Sequence, residues 1–415
     1  MMKSQKNIDT KKAVTLNTVS VFIYFFAQWL LTIVLTRISG YKDSGLFTLA
    51  VSFTNIFCYL SNAGVRNVQI SDTSRKTEKN VYFSTRFLTS ALSILLFAIT
   101  IAFVRYDELS VKCCITMMIF KIFESYRDVL MGELQLQNRY DLIARSYIMK
   151  SILIVLAFVV ALFIGLSLPL SILSMAVAYG GVLFLYDFRK LKIYRDFAWN
   201  IDGSKELLMI SFPLTVSTIL DAVILFIPKH FVEILLGSEQ LGYYGTVTIV
   251  IIVLSTLGSS VWTSLIPVYS KAFIERDDES VFKMNRLIVV SLGLLSIMLL
   301  TVGRLIAPFF YKLLFGEKIL DYMYLLPSVI INSLLLLFNS FFICILVPLR
   351  KNRLFAISDL FAVVVLVPLC YFLCKNNHLL GASNSLSIAL FVKLVLLLTG
   401  TFISLNQRKK EVDSI

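Results

Sequence analysis

Four charged residues, Lys121, Glu124, Arg127 and Asp128, stand inside an otherwise apolar stretch that continues as MMIFKIFESYRDVLMGELQLQNRYDLIARSYIMK over Met117–Lys150. At ~100° per residue, with Lys121 at zero, Glu124 falls near −60°, Arg127 near −120° and Asp128 near −20°. One arc of about 120° therefore carries all four, with Tyr126 on the opposite side. A charge at bilayer mid-depth costs from ~3 kcal/mol upward unless it faces water or a partner. Two charges of each sign on one helix face predict a helix that lines a polar interior. The plainer reading is mutual neutralisation, Lys121 with Glu124 or Asp128 and Arg127 with Glu124.

Further charges fall within apolar stretches. Asp221 lies mid-way along one that contains Pro213 and Pro228, two residues able to break or bend a helix. Lys229 follows near its outer end. Asp359 lies about two turns into another stretch, where capping or snorkelling is the expected role. Lys393 sits mid-way along the last one. The chain has no Gly-rich phosphate loop, nucleophile elbow or metal-ligand cluster. His230 and His378 are the two histidines, and both fall near the ends of apolar stretches. These residues predict no enzyme, no cofactor and no resident metal, so energy for any transport has to come from an ion gradient, the membrane potential or the cargo's own gradient.

Of the 415 residues, 58% are hydrophobic and 16% charged, and the mean hydropathy is +0.82. A soluble protein of this composition would expose too much apolar surface to stay monomeric. The expectation is an all-α polytopic membrane protein, since strands outside a closed barrel leave backbone groups unsatisfied in lipid. The net charge of +13 fits basic loops facing anionic lipid rather than nucleic acid. The six cysteines, Cys58, Cys113, Cys114, Cys344, Cys370 and Cys374, lie in or at the ends of apolar stretches and predict apolar packing. The basic N-terminus is followed by an apolar run too long for a signal peptide, so the first segment reads as a retained span.

Windows of about 20 apolar residues predict twelve spans. Six fall near 14–36, 45–65, 82–104, 113–133, 146–166 and 168–187, and six near 207–228, 242–266, 286–310, 322–347, 354–374 and 384–405. About two thirds of the 39 Lys and Arg fall on the side that holds both termini, which places both ends in the cytoplasm. An internal repeat supports the division. Gly40-Tyr-Lys-Asp-Ser-Gly45 resembles Gly237-Ser-Glu-Gln-Leu-Gly242 at an offset of 197, Val81–Phe87 resembles Val281–Leu287 at 200, and Asn138-Arg139 matches Asn352-Arg353 at 214. The four glycines are expected to serve tight turns. Two six-helix lobes follow, 1–188 and 206–415, joined by a cytoplasmic linker at 189–205 and related by a pseudo-twofold axis along the membrane normal. The tenth span, aligned with the charged fourth, carries Asn332, Ser333, Asn339 and Ser340 but no charge after Asp321. That asymmetry favours a site over generic glue in the fourth span.

Four stretches in order, TRISGYKDSGLFTLA (Thr36–Ala50), FESYRDVLMGELQLQNRYDLIARS (Phe123–Ser146), SFPLTVSTIL (Ser211–Leu220) and LLGSEQLGYYGTV (Leu235–Val247), resemble the Wzx-type O-antigen flippases. These polysaccharide transporters belong to the multidrug/oligosaccharidyl-lipid/polysaccharide superfamily, and the likeness runs along essentially the whole chain. It implies a bacterial inner-membrane protein of lipopolysaccharide biosynthesis. Such a protein moves an undecaprenyl-pyrophosphate-linked oligosaccharide from the cytoplasmic to the periplasmic leaflet by alternating access, coupled to H⁺ or Na⁺. It also points to an O-antigen polymerase and a chain-length regulator as candidate partners. Depth and face in this sequence then assign Arg127 and Lys121, with Lys393 third, to the pyrophosphate. Glu124, Asp128 and Asp221 are assigned to the coupling ion.

Rival readings make separate predictions. A multidrug or small-molecule antiporter of the same superfamily would favour acidic cavity residues for cationic drugs. A non-transporting scaffold of a polysaccharide assembly complex would be insensitive to loss of the charged face. A lipid II flippase would carry extra spans, and a membrane glycosyltransferase or polymerase a large periplasmic loop.

Overall fold

The computed structural model describes residues 10–72, 77–191, 198–349, 351 and 353–413. The basic tail at 1–9 and residues 192–197 of the expected linker lie outside the described residues. Among those described, every regular element is helical. Apolar runs of this length leave no alternative in lipid, because a helix satisfies its backbone internally.

The helices in chain order are α1 (Thr10–Ser39), α2 (Tyr41–Asn62), α3 (Val65–Ser71), α4 (Lys79–Phe103), α5 (Glu108–Leu136), α6 (Tyr140–Phe163) and α7 (Leu168–Val182). A π-turn at Leu183–Asp187 carries α7 into a last helical turn, Phe188–Leu191. There follow α8 (Ile201–Leu236), α9 (Ser238–Val247), α10 (Ile249–Ile274), α11 (Asp278–Met298), α12 (Arg304–Phe315), α13 (Leu326–Phe341) and α14 (Arg353–Asp413). The last is interrupted by non-helical backbone at Asn377 and His378. Local signals set several ends. Asn200 caps α8 by accepting the Gly203 N–H at 2.9 Å, and Pro169 starts α7, where its missing N–H is harmless. Pro213 and Pro228, expected to break or bend a span, lie within the unbroken helix α8.

Nine helical stretches among the described residues are long and apolar enough to cross a membrane. The twelve expected windows differ from these nine in three places. The 113–133 window falls on α5, which carries too many charges to qualify on composition. The 242–266 window falls on α9 and the first part of α10, a 26-residue helix that is not among the nine because several of its side chains lie outside the described residues. The last two windows are joined in the single stretch Arg353–Gln407.

Two compact units divide the chain, one comprising Met1–Gly40 and Ala50–Thr215, the other Tyr41–Leu49 and Val216–Ile415. In the first unit α5 is the buried centre. Met117, Phe120, Val129, Leu130 and Met131 are all sealed from solvent, and one apolar cluster joins Val129 to Ala63, Val65, Tyr82 and Leu207. All six cysteines are buried and unbridged, in keeping with apolar packing.

Gly40 and Gly237 precede α2 and α9 with φ of 90° and 89°, a region open to glycine. Gly45 and Gly242 serve a different purpose from the expected turns. A Cβ on Gly45 would lie 1.8 Å from the Ser238 carbonyl oxygen, and one on Gly242 would lie 1.9 Å from that of Tyr41. The two helix starts thus touch backbone to backbone, each through the other's glycine, as small residues permit in membrane packing. The stacked rings of Tyr41, Tyr243 and Tyr322, with successive centroids 4.0 and 3.9 Å apart, flank the crossing.

Gly45→Ala or Gly242→Ala forces these backbones apart and is expected to destabilise by about 1–3 kcal/mol. Gly293→Ala, where a Cβ meets nothing within 4 Å, is the control. Thermal midpoints of the detergent-purified variants test this; equal midpoints for Gly45→Ala and Gly293→Ala would contradict it.

Candidate functional site

The first unit gathers its charges around α5. Lys121 Nζ donates to Glu124 Oε2 at 2.7 Å, and the Tyr24 hydroxyl of α1 donates to Glu124 Oε1 at 2.8 Å. The i,i+3 spacing brings Lys121 and Glu124 together, and both carboxylate oxygens are then occupied. Asp128 points to other helices. Its Oδ2 pairs with Arg86 of α4 at 2.8 Å and its Oδ1 with Arg66 of α3 at 3.3 Å. Arg86 has no exposed surface. It also donates to the Ser61 carbonyl at 2.7 Å, to Asn62 Oδ1 at 2.8 Å and to Ser125 Oγ at 3.0 Å. These contacts tie α2, α4 and α5 together, and although Nε is buried without an acceptor, the Asp128 carboxylate already neutralises this guanidinium.

Arg127 is arranged differently. It is 5% exposed, yet among the described residues no carboxylate reaches it within ion-pair distance. Aromatic rings enclose it instead. Its guanidinium carbon lies 3.6 Å from the Tyr147 ring centroid on α6 and 5.0 Å from that of Tyr24. Nη1 donates to the Tyr179 hydroxyl of α7 at 3.0 Å, and Nε is buried without an acceptor. Desolvated cation–π contacts are each worth up to about 2 kcal/mol, which offsets part of the burial cost while leaving the charge uncancelled. Guanidinium carries five N–H donors in a fork that matches phosphate oxygens. Arg127 is therefore the cation of this cluster best suited to accept an anion.

Next to the cage, Lys150 of α6 pairs with Asp187 at 2.5 Å, both essentially sealed from solvent. The Lys150 ammonium also lies 4.5 Å from the Tyr179 ring centroid. The π-turn at Leu183–Asp187 sets the direction of Asp187. Counting Arg66, Arg86, Lys121, Arg127 and Lys150 against Glu124, Asp128 and Asp187, cations exceed carboxylates by two.

The second unit holds a separate cluster. Lys393 of α14 is 4% exposed. Its ammonium donates to Asp221 Oδ1 of α8 at 2.6 Å and lies 2.5 Å from Asp359 Oδ1, the latter a charge contact without hydrogen-bond alignment. Ser217, one turn before Asp221, donates to Asp359 Oδ2 at 2.8 Å. Asp359, expected to cap or snorkel, is fully buried in this triad. Its neighbours come from α8 and from the part of α14 beyond the Asn377–His378 break. Two carboxylates around one ammonium leave a net negative charge, so this cluster suits a small cation or proton better than an anion.

The six residues singled out by sequence thus part into three groups: Lys121 with Glu124 beside Arg127, Asp128 with Arg86 and Arg66, and Lys393 with Asp221. The sequence reading missed Arg86, Arg66, Lys150 and Asp187, which lie at or near span ends where charges count as loop charges. Arg86 did carry a signal, since it anchors one of the repeat matches. Tyr24, Tyr147 and Tyr179 had none, as a caging tyrosine and a packing tyrosine look alike in a chain with 18 tyrosines.

These environments predict opposite stability effects. Asp128→Asn strands the buried Arg86 charge and is expected to cost about 3 kcal/mol or more. Arg127→Met, which breaks no ion pair, is expected to leave the unfolding free energy within about 1 kcal/mol of wild type. Unfolding followed by size-exclusion chromatography checks both, and equal losses in the two variants would refute the distinction.

Comparison with known proteins follows the same lines. Among solved structures, a lipid II flippase, MurJ, in an inward closed conformation superposes with a TM-score of 0.71 at 14% identity, over 93% of this chain and 87% of that one. An inward-facing multidrug resistance MATE family transporter of the MOP superfamily gives 0.68 at 14% identity, over 96% and 98%. A MOP superfamily transporter from Pyrococcus furiosus, described by the reverse polarity of its binding pocket, gives 0.64 at 15% identity, over 98% and 99%. At these identities the likeness establishes the fold, that of multi-pass membrane transporters. The capsular polysaccharide biosynthesis protein CapF of Staphylococcus aureus is 23% identical over 377 residues, covering 89% of this chain and 93% of that protein. The profile of the polysaccharide biosynthesis protein family matches residues 34–324. With more than half of its length inside that match, the chain belongs to the polysaccharide biosynthesis protein family.

Proposed function

We propose that the chain is a flippase that carries an undecaprenyl-pyrophosphate-linked oligosaccharide from the cytoplasmic to the periplasmic leaflet of a bacterial inner membrane. The observation that carries the reading is Arg127, a buried cation held by tyrosines and not by a carboxylate. A pyrophosphate needs its charge shielded in a medium of low polarity, and an uncancelled guanidinium supplies that. Lys121, the second pyrophosphate candidate, is paired with Glu124 on the same helix.

The proposed architecture is twelve transmembrane helices in two six-helix lobes, 1–188 and 206–415, joined by 189–205 and related by a pseudo-twofold axis along the membrane normal. Both termini are cytoplasmic and transport proceeds by alternating access. Coupling to H⁺ or Na⁺ is assigned to carboxylates, chiefly Asp221, where Asp359 and Lys393 complete a net-negative cluster. Lys393 stays behind Arg127 as a pyrophosphate ligand, because its ammonium already has two carboxylates. Glu124 and Asp128 balance the cations of the first unit. An O-antigen polymerase and a chain-length regulator are the proposed partners.

The family and the excess of cations in the first unit both favour a lipid-linked glycan over a cationic drug as cargo. The finished polymer is read as O-antigen from the four sequence stretches, while the name of the Staphylococcus aureus relative favours capsule as a second reading. The lipid diphosphate chemistry is common to both.

In a strain lacking this gene, wild-type chain is expected to restore surface polysaccharide. Arg127→Ala and Arg127→Lys are expected to lower it at least about tenfold at unchanged membrane expression, because lysine lacks the planar fork. Surface glycan at wild-type levels with Arg127→Ala would sink the site. A deletion that leaves surface glycan intact, in a strain with no substitute flippase, would sink the function.

A further inference from the structure

At the end of the first unit that carries the α5–α6 turn lies a cavity of about 450 Å³, apart from the Arg127 cage. Arg139, Asp141, Arg145, Tyr186 and Lys190 line it. Asp141 is committed to Arg139, with Oδ1 at 3.0 Å from Nε and Oδ2 at 3.1 Å from Nη2. Arg145 and Lys190 are exposed and, among the described residues, have no carboxylate partner. The Tyr186 hydroxyl is buried with no aligned hydrogen-bond partner, and Arg145 is the polar group beside it. The cavity is thus cationic overall.

Its surroundings are apolar in one direction. From Arg145, the residues at helical spacing along α6 are Met149, Ile152 and Leu156, which are 37%, 54% and 54% exposed. Phe184 and Leu185, on the π-turn before Lys190, are exposed as well. A cationic pocket that opens onto an apolar stripe along a membrane-spanning helix matches a molecule with a phosphate head and hydrocarbon tails. A soluble phosphate would have no use for the stripe. The Lys/Arg bias of the sequence assigns this end to the cytoplasmic side, where anionic lipid attracts basic groups.

We propose that this cavity binds the phosphate headgroup of an anionic membrane phospholipid, with Arg145 and Lys190 on the phosphate and the acyl chains along Met149, Ile152 and Leu156. The site is separate from the cage assigned to the cargo, and it stands whether or not the cargo reading holds. Occupancy would brace α6 against the turn that follows α7. Those two elements supply Tyr147 and Asp187 to the Arg127 environment, and α7, continuous with the turn, supplies Tyr179, so lipid composition would tune the stability of the cage.

The test uses the full chain purified in neutral detergent, with phosphatidylglycerol, phosphatidylcholine or inorganic phosphate added, and reads lipid affinity and thermal midpoint. Wild type is expected to bind and be stabilised by phosphatidylglycerol but not by phosphatidylcholine. Arg145→Gln with Lys190→Gln is expected to weaken that binding roughly 10- to 30-fold, the effect of two basic residues at an anionic surface. Lys205→Gln with Lys283→Gln removes the same charge from exposed positions and should leave it within about threefold. Equal weakening in both double variants would reduce the effect to net charge and overturn the site. Equal stabilisation by inorganic phosphate would overturn the lipid assignment. Should the double variant fail to fold, a photoactivatable phosphatidylglycerol on wild type decides instead. Crosslinks within 140–156 and 183–190 support the proposal, and their absence from both segments refutes it.

Discussion

Charge burial is the constraint on which the rest of the first unit depends. Lipid offers no compensation for an ionised side chain, so each one must be matched by the protein or kept for cargo. Arg86, Lys121 and Lys150 are matched, by Asp128, Glu124 and Asp187 respectively. The Arg86 and Lys150 pairs reach from α5 and α6 to their neighbours, while the Lys121 pair lies within α5 and is tied to α1 through the Tyr24 hydroxyl. Arg127 alone of these four buried cations is held by rings and a hydroxyl. On the proposed reading the tyrosine cage reconciles two requirements: the cation must be tolerable when empty, yet still able to attract an anion. A carboxylate partner would satisfy the first and remove the second.

The second unit solves the same problem with the opposite sign. Asp221 and Asp359 share one ammonium, and Ser217 holds the buried carboxylate in place. The positions on α13 that align with the charged face of α5 are polar but neutral. Asn332 donates to the Ser383 carbonyl at 3.0 Å and Asn339 to the Leu390 carbonyl at 3.1 Å. These are packing contacts between spans. The reciprocal Gly45 and Gly242 contact thus joins two similar sequence stretches, while α5 and α13 differ in the charge they bury.

Composition and periodicity disclosed the helical membrane class, because hydropathy reports directly on the surrounding solvent. They also disclosed α5, since four charges in an apolar run are costly enough to be conspicuous. Partner choice was not legible. Lys121 and Glu124 could be paired from local spacing, but Asp128 meets Arg86 across 42 residues and Lys393 meets Asp221 across 172. Such pairings depend on which helices pack together, and that information is spread over apolar surfaces. Gly45 looked like a turn residue because a close backbone contact leaves the same sequence mark as a turn. Lys150 and Asp187 were hidden by the convention that charges at span ends are solvated.

The most direct measurement is the affinity of the purified protein for an undecaprenyl-pyrophosphate-linked oligosaccharide, compared between Arg127→Gln and Lys393→Gln by native mass spectrometry. If the caged guanidinium receives the diphosphate, Arg127→Gln weakens binding at least about tenfold, as loss of a charge-assisted contact does. Lys393→Gln, which removes a cation already neutralised by two carboxylates, leaves binding close to wild type. Undiminished binding by Arg127→Gln would contradict the account.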